Sequence, residues 1–324
     1  MDKNQIFNNM VFINTKELDE KQGPFCMSYR FDINTLMSSI ETVGLINKPY
    51  IRRNKAGFLD IITGYRRIVA LKALNWERVP CIDLTDSGML DKDLLILNMY
   101  DNICTRRFNY VEKGMILNRL LMFFAKEDIY QTYINILGIS SRREADLLSK
   151  IQELDDNVKD IIAGELLSIK TIESLFELDY PFRNKILKWI INLKLNFNQQ
   201  ALFIEYINDI SIREKKSIQE LLDEEIFFSL MTKEGQNTPQ KAKRFIDLLR
   251  ARRMPVLTKN EKAFTRKVSN LNLPKNVRIK HTPFFEGADY LLEISFKDGG
   301  MLKDTIEALA RIKELSNIKD PWKE

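Results

Sequence analysis

The apolar positions of the first hundred residues change period several times. In "FDINTLMSSIETVG", Ile33, Leu36, Met37, Ile40 and Val43 recur at helical spacing, and Gly44 supplies a C-terminal cap. "KPYIRR" and "FLDIIT" read as strands on either side of the turn "NKAG". "RRIVALKALNW" returns to helical spacing through Ile68, Leu71 and Leu74, and "VPCIDL" is another strand. From about Asp91 to Arg253 the spacing is helical almost throughout, with Gly and Pro scarce. Within it, "KILKWIINLKLNF" and the pairs Phe123-Phe124 and Phe227-Phe228 read as core. After Pro274, "NVRIKH" and "YLLEISF" alternate like strands, and "GGMLKDTIEALARIKEL" closes with a helix. The expected class is α+β and mainly helical. It divides into an α/β domain over residues 1–105, a helical domain over 106–253 and a strand-strand-helix unit over 254–324. "TKEGQNTPQ" and Met254-Pro255 are the expected linkers. A unit as small as the last buries little by itself, so pairing with a second copy is expected.

Composition narrows the chemistry. With 44% apolar and 29% charged residues in 324, the chain can bury a real core. The net charge of +5 is unevenly spread: Pro239 to Lys280 holds thirteen Lys or Arg against Asp247 and Glu261. Such a block faces either water or a polyanion, and Lys241 to Lys280 is a candidate for sequence-independent DNA contact. A single histidine, His281, leaves no room for a His-based zinc site or a Ser-His-Asp triad. Three scattered cysteines match no metal or redox spacing and fit a reducing compartment. No signal-peptide core opens the chain and its apolar runs are too short to cross a bilayer, so a cytoplasmic protein without membrane contact is expected.

Two clusters carry candidate chemistry. Gly64 joins a strand to a helix that opens with Arg66 and Arg67. A glycine permits close approach, a helix start offers free N–H groups, and guanidinium groups stay charged, so a phosphate suits this turn. Arginine pairs of this kind also serve as salt-bridge partners. Further on, a helix is expected to end near Tyr100, with Asp101 and Asn102 following it before the next helix begins; their hard oxygens suit Mg²⁺ beside phosphates, or equally a helix cap.

In this order the clusters resemble the ParB family of DNA-segregation proteins over most of the chain. "LMSSIETVGLINKPYIRR" is similar to the family's first box and "IITGYRRIVALKALNWERVPCI" to its second, usually Gly-Glu-Arg-Arg with a later Val-Pro. "DNICTRRFNYVE" is similar to the third, with Asn109 and Glu112 in register. "LGISSRREADLLSKIQELDDNVKDIIAGELLSIKTIESLFEL" resembles the helix-turn-helix region. The resemblance implies a homodimeric DNA-binding protein of plasmid or chromosome partition, nucleoid- or plasmid-associated, with a possible partition ATPase as partner. It implies that Thr63, Gly64, Arg66 and Arg67 hold the phosphates of CTP or another nucleotide, that Asp101 and Asn102 hold Mg²⁺, and that nucleotide binding closes a clamp on double-stranded DNA. Tyr65 stands where the family has Glu, Val69 where another Arg is common, and Thr105 where the third box has Arg, although Arg106 and Arg107 follow. These departures weaken hydrolysis, a weak CTPase at most, more than binding. Two alternatives stay open: a DNA-binding transcriptional regulator that keeps the fold without nucleotide turnover, and a nuclease or small-molecule kinase on the same fold. Tyr65 excludes the sulfiredoxin chemistry of that fold, which needs a cysteine there.

In the helix-turn-helix stretch, Ile134 and Leu137 are expected to pack the helices, and Ser140 or Ser141 to cap the second. Ser140, Ser141, Arg142, Arg143, Lys150 and Lys170 are then the candidate DNA-binding residues, Lys150 at the far end as a phosphate contact. Glu144 falls where this motif buries an apolar residue; a turn longer by one would place Ala145 there instead.

Overall fold

The computed structural model describes residues 9–19, 23–232, 237–282, 287 and 289–318. The chain forms two compact units, Met1–Leu178 and Asp179–Glu324. This division is coarser than the three domains read from sequence, whose boundaries remain a proposal.

The first unit opens with a four-stranded sheet made of β1 (Met10–Asn14), β2 (Tyr50–Arg53), β3 (Leu59–Thr63) and β4 (Arg78–Asp83), in the order β1-β4-β2-β3. β2 and β3 form the expected antiparallel hairpin, β2 runs parallel to β4, and β1 lies antiparallel along β4. The period-3.6 segments become α1 (Asn34–Val43), ended by Gly44 at φ +77°, and α2 (Tyr65–Ala73). Their inward stripes, Ile40, Ile68 and Leu71, meet Ile51, Ile61, Val79 and Cys81 of the sheet in one core. Six helices follow: α3 (Asp91–Ile103), α4 (Tyr110–Leu120), α5 (Lys126–Ile136), α6 (Arg142–Lys150), α7 (Asp156–Ala163) and α8 (Ile169–Phe176). The crossing of α4 and α6 is close because residue 114 is glycine. A Cβ there would lie 2.3 Å from the Leu148 carbonyl oxygen.

The second unit is helical through α9 (Tyr180–Asn192), α10 (Phe197–Glu214), α11 (Ile218–Leu222), α12 (Glu225–Thr232), α13 (Thr238–Arg253) and α14 (Pro255–Asn270). Its centre is aromatic: Trp189 stacks on Phe245, and Phe203 and Phe227 approach Phe245 edge-on. Ile186, Leu187, Trp189, Ile190 and Leu193 are buried as expected, but the phenylalanine pairs need correction. Phe227 is core, while Phe228 on the next helical position is 67% exposed and Phe123 is 40% exposed. Consecutive helical residues point about 100° apart, so a doublet rarely goes inside whole. The expected linker at Met254-Pro255 is a single non-helical residue, bridged by a two-pronged ion pair between Arg250 and Glu261. Of the other expected linker, residues 233–236 lie outside the described residues. The unit ends with the antiparallel pair β5 (Val277–His281) and β6 (Tyr290–Ile294), then α15 (Gly299–Ala310). Among the described residues no helix is long and apolar enough to cross a membrane.

Candidate functional sites

At the end of β3 the chain turns through Gly64, whose φ of +83° disfavours any L side chain. A Cβ there would also stand 3.0 Å from Pro49 Cα and 3.2 Å from the guanidinium carbon of Arg67. Pro49 and Arg67 thus fill the space that the missing Cβ leaves. Arg67 folds back, donating to the carbonyls of Asn47 (2.8 Å) and Lys48 (3.2 Å) and to Asp101 Oδ2 (2.9 Å). Arg66 lies over the Phe31 ring and donates to Ser28 Oγ (3.1 Å) and Glu112 Oε1 (2.7 Å). Tyr65 meets Phe31 edge-on. Thr63 Oγ1 is buried without a hydrogen-bond partner, the one orphan polar atom at the turn itself among the described residues.

Glu112 is the hub. Its side chain is 1% exposed, yet it accepts four hydrogen bonds: from Arg66, from Arg106 Nη1 (2.7 Å) and from the backbone N–H groups of Tyr29 (3.0 Å) and Asn109 (3.1 Å). A buried carboxylate is tolerable only when so paired. Burial lowers the pKa of Arg106, while Glu112 works to hold its proton on. Arg106 also donates to Asn102 Oδ1 (2.9 Å) and to the Met27 carbonyl (2.7 Å). Asn102 Nδ2 donates to the Asn98 carbonyl (2.9 Å), and buried Asn98 donates to the carbonyls of Phe25 and Ile62. The turn after β3, the end of α3 and the start of α4 are thereby riveted together. The structure brings Thr63, Gly64, Arg66, Arg67, Asp101 and Asn102 to one place. In it, however, Asp101 Oδ2 and Asn102 Oδ1 each face a guanidinium group. No group of three or more His, Cys, Asp or Glu that could hold a metal occurs among the described residues. As arranged, the two oxygens do not fit a cation.

Sequence reasoning gave Glu112 no role, although a signal was present. "NYVE" is a capping box in which Asn109 Oδ1 accepts from the Glu112 N–H and Glu112 Oε2 accepts from the Asn109 N–H. Its pairing with Arg66 could not be read, since it depends on tertiary contact.

The second site is built on α5 and α6. Ile134, Leu137 and Ile139 are buried between them. Gly138 takes φ +61°, and its carbonyl accepts from Lys113 Nζ of α4 (3.0 Å), where burial lowers the lysine's pKa. Ser141 is the cap, accepting from the Glu144 N–H (3.1 Å), and Glu144 reaches back to the Ser140 N–H (3.0 Å). The register question is thereby settled: Glu144 belongs to the cap and Ala145 fills the core position. Ser140, Ser141, Arg142, Arg143, Lys150 and Lys170 are all exposed. Arg142 pairs with Glu127 of α5 (Nη1 at 3.1 Å) and lies over Tyr130, while Arg143 pairs with Glu173 of α8 (2.9 Å). The latter contact joins the first turn of α6 to the helix that carries Lys170. Lys150 stands eight residues along α6, about 12 Å away.

No family model matches the chain. It is 24% identical over 173 residues to the probable chromosome-partitioning protein ParB of Vibrio cholerae, covering 53% of this chain and 57% of that protein. It is 24% identical over 213 residues to the nucleoid occlusion protein of Lysinibacillus sphaericus, covering 65% and 62%. The chain thus spans less than two thirds of the length of these relatives. A crystal structure of C-terminally truncated Caulobacter crescentus ParB complexed with CTP-gamma-S aligns at 19% identity and a TM-score of 0.27, covering 56% of this chain and 99% of that one. With Tyr65 and Thr105 in place of the Glu and Arg usual in the second and third boxes, this chain is similar to ParB and nucleoid occlusion proteins.

Proposed function

We propose that the protein is a sequence-specific, double-stranded-DNA-binding protein of the partition and nucleoid-occlusion kind, which reads its site through the α5–α6 helix-turn-helix. The carrying observation is the exposed, capped first turn of α6, seated on α4 through Gly114 and Lys113. The glutamates beside Arg142 and Arg143 do not block this role. Exposed ion pairs are worth about 0–1 kcal/mol, less than a good base contact. Replacing Arg142 and Arg143 by Ala should weaken DNA affinity by about 1–3 kcal/mol for each base edge that the arginines read, measured on sites selected from fragmented host DNA. Unchanged affinity would falsify the assignment. Self-association through β5, β6 and α15 completes the reading, supported by exposed Leu291, Leu292 and Phe296. Sedimentation of the intact chain as a monomer removes that part.

A nucleotide-responsive clamp, with CTP and Mg²⁺, is the second reading. The clustering of the second- and third-box residues and the orphaned Thr63 hydroxyl favour it. The carboxylates already on Arg66 and Arg67 count against it, because a triphosphate would have to displace them. Asp101 is the displaceable one, its side chain 32% exposed, whereas Glu112 is enclosed. If Asp101 merely occupies a phosphate's place, Asp101→Asn should tighten triphosphate binding several-fold without Mg²⁺. If it holds the metal, the same change should weaken Mg²⁺-dependent binding. Calorimetry with each of the four triphosphates decides. No heat with any of them selects a DNA-binding regulator without nucleotide chemistry.

A further inference from the structure

The thirteen cations between Lys241 and Lys280 are not equivalent once their contacts are known. Arg252 is held between Glu214 and Glu224, Arg253 between Glu205 and Asp209, Arg250 by Glu261, and Lys280 by Glu293. The three arginines are spent on the fold, whereas the Lys280–Glu293 pair is exposed to solvent. Arg244, Lys262 and Arg266 have no carboxylate partner among the described residues, and all three line one groove of about 810 Å³ between α13 and α14.

Three observations point to a ligand there. The groove carries Arg244, Arg250, Lys262 and Arg266 against Asp247 and Glu261, and Arg250 already engages Glu261 with both prongs. Thr258, also in the lining, has an enclosed Oγ1 with no hydrogen-bond partner, a state that buried hydroxyls avoid. Finally, α14 runs for 16 residues without one buried residue. Helices in proteins are stabilised chiefly by burying a face, so this one is unusually uncovered. Thr258, Lys262 and Arg266 follow at four-residue steps, placing donors in a row about 6 Å apart. One strand of a duplex offers a phosphate about every 3.4 Å of axis, so such a row can follow it.

We infer that the α13–α14 groove is a second nucleic-acid contact, in which Arg244, Lys262 and Arg266, helped by the Thr258 hydroxyl, hold the phosphodiester backbone of DNA without reading bases. This inference rests on the DNA-binding reading and adds to it a site outside the helix-turn-helix. A backbone track of three cations contributes to the salt dependence of binding and not to sequence preference.

The test uses the intact chain and a duplex of arbitrary sequence, with affinity measured by fluorescence anisotropy across a salt series. The triple variant Arg244→Gln, Lys262→Gln, Arg266→Gln should bind more weakly and lower the slope of log affinity against log salt by about 2–3, at roughly 0.9 per phosphate contact. Its thermal midpoint should match that of the unmodified protein, since the three substitutions break no ion pair. Thr258→Val should likewise melt normally and bind about two-fold more weakly. A triple variant with an unchanged slope overturns the groove while leaving the helix-turn-helix intact. Absence of salt-dependent DNA binding by the unmodified protein overturns the wider reading instead. Polyglutamate competing as well as DNA at equal charge would overturn the phosphodiester assignment.

Discussion

Two pairs of adjacent arginines open helices in the first unit, Arg66-Arg67 on α2 and Arg142-Arg143 on α6, and all four guanidinium groups meet carboxylates. On paper the pairs look alike, yet their surroundings separate them. Glu112 is 1% exposed and shared with Arg106 and two backbone N–H groups, so its charge has no alternative partner. Glu127 and Glu173 face solvent, and the Arg143 side chain is 82% exposed. Water screens the α6 pairs, so an arriving phosphate or base edge exchanges with them at little cost. The lesson is that a carboxylate beside an arginine says little about availability until its burial is known.

The most severe way to break this comparison is Glu112→Ala. Removing one member of a buried charge group leaves Arg66 and Arg106 facing each other, which should destabilise the first unit by about 3–5 kcal/mol in denaturant melts. A loss under ~1 kcal/mol would mean that water already reaches the cluster and that the contrast with α6 is false. An intermediate case lies in the second unit, where Arg252 sits between Glu214 and Glu224 with all three side chains partly exposed. Hydrogen bonds from Arg252 lower both carboxyl pKa values, that of Glu224 to about 2. Because these folded-state values lie below the usual glutamate range of ~4.3, their stabilisation is complete above it. It should fade as pH falls from ~4.5 towards 2, seen as a declining thermal midpoint that Arg252→Met flattens. The smallest effect belongs to Glu127→Gln with Glu173→Gln. Stability should change by less than about 1 kcal/mol, while DNA affinity rises modestly as two competing anions leave Arg142 and Arg143. Weaker DNA binding would show that the glutamates orient these arginines and do not compete for them.

Much of the fold was legible because it is written in local periodicity. The β2–β3 hairpin, α1 with its Gly44 cap and the buried stripe from Ile186 to Leu193 all follow from spacing alone. β1 was not legible: it is an edge strand with Met10 and Phe12 exposed, and its "MVFIN" carries no inside-outside contrast. The Glu144 question had its answer in "SRRE", a cap signature that competes with the burial pattern of the motif. The clustering of Arg66, Arg67, Asp101 and Asn102 was anticipated from the family resemblance. What those groups do to one another was not, since the partner of Arg66 lies 46 residues away and no spacing rule links them.

Gly114 and Glu112 sit two positions apart on α4, within a single helical turn. The residue that anchors the arginine cluster and the residue on which α6 rests are therefore mounted on one beam. Loosening Glu112 is therefore expected to disturb the seat of α6 as well.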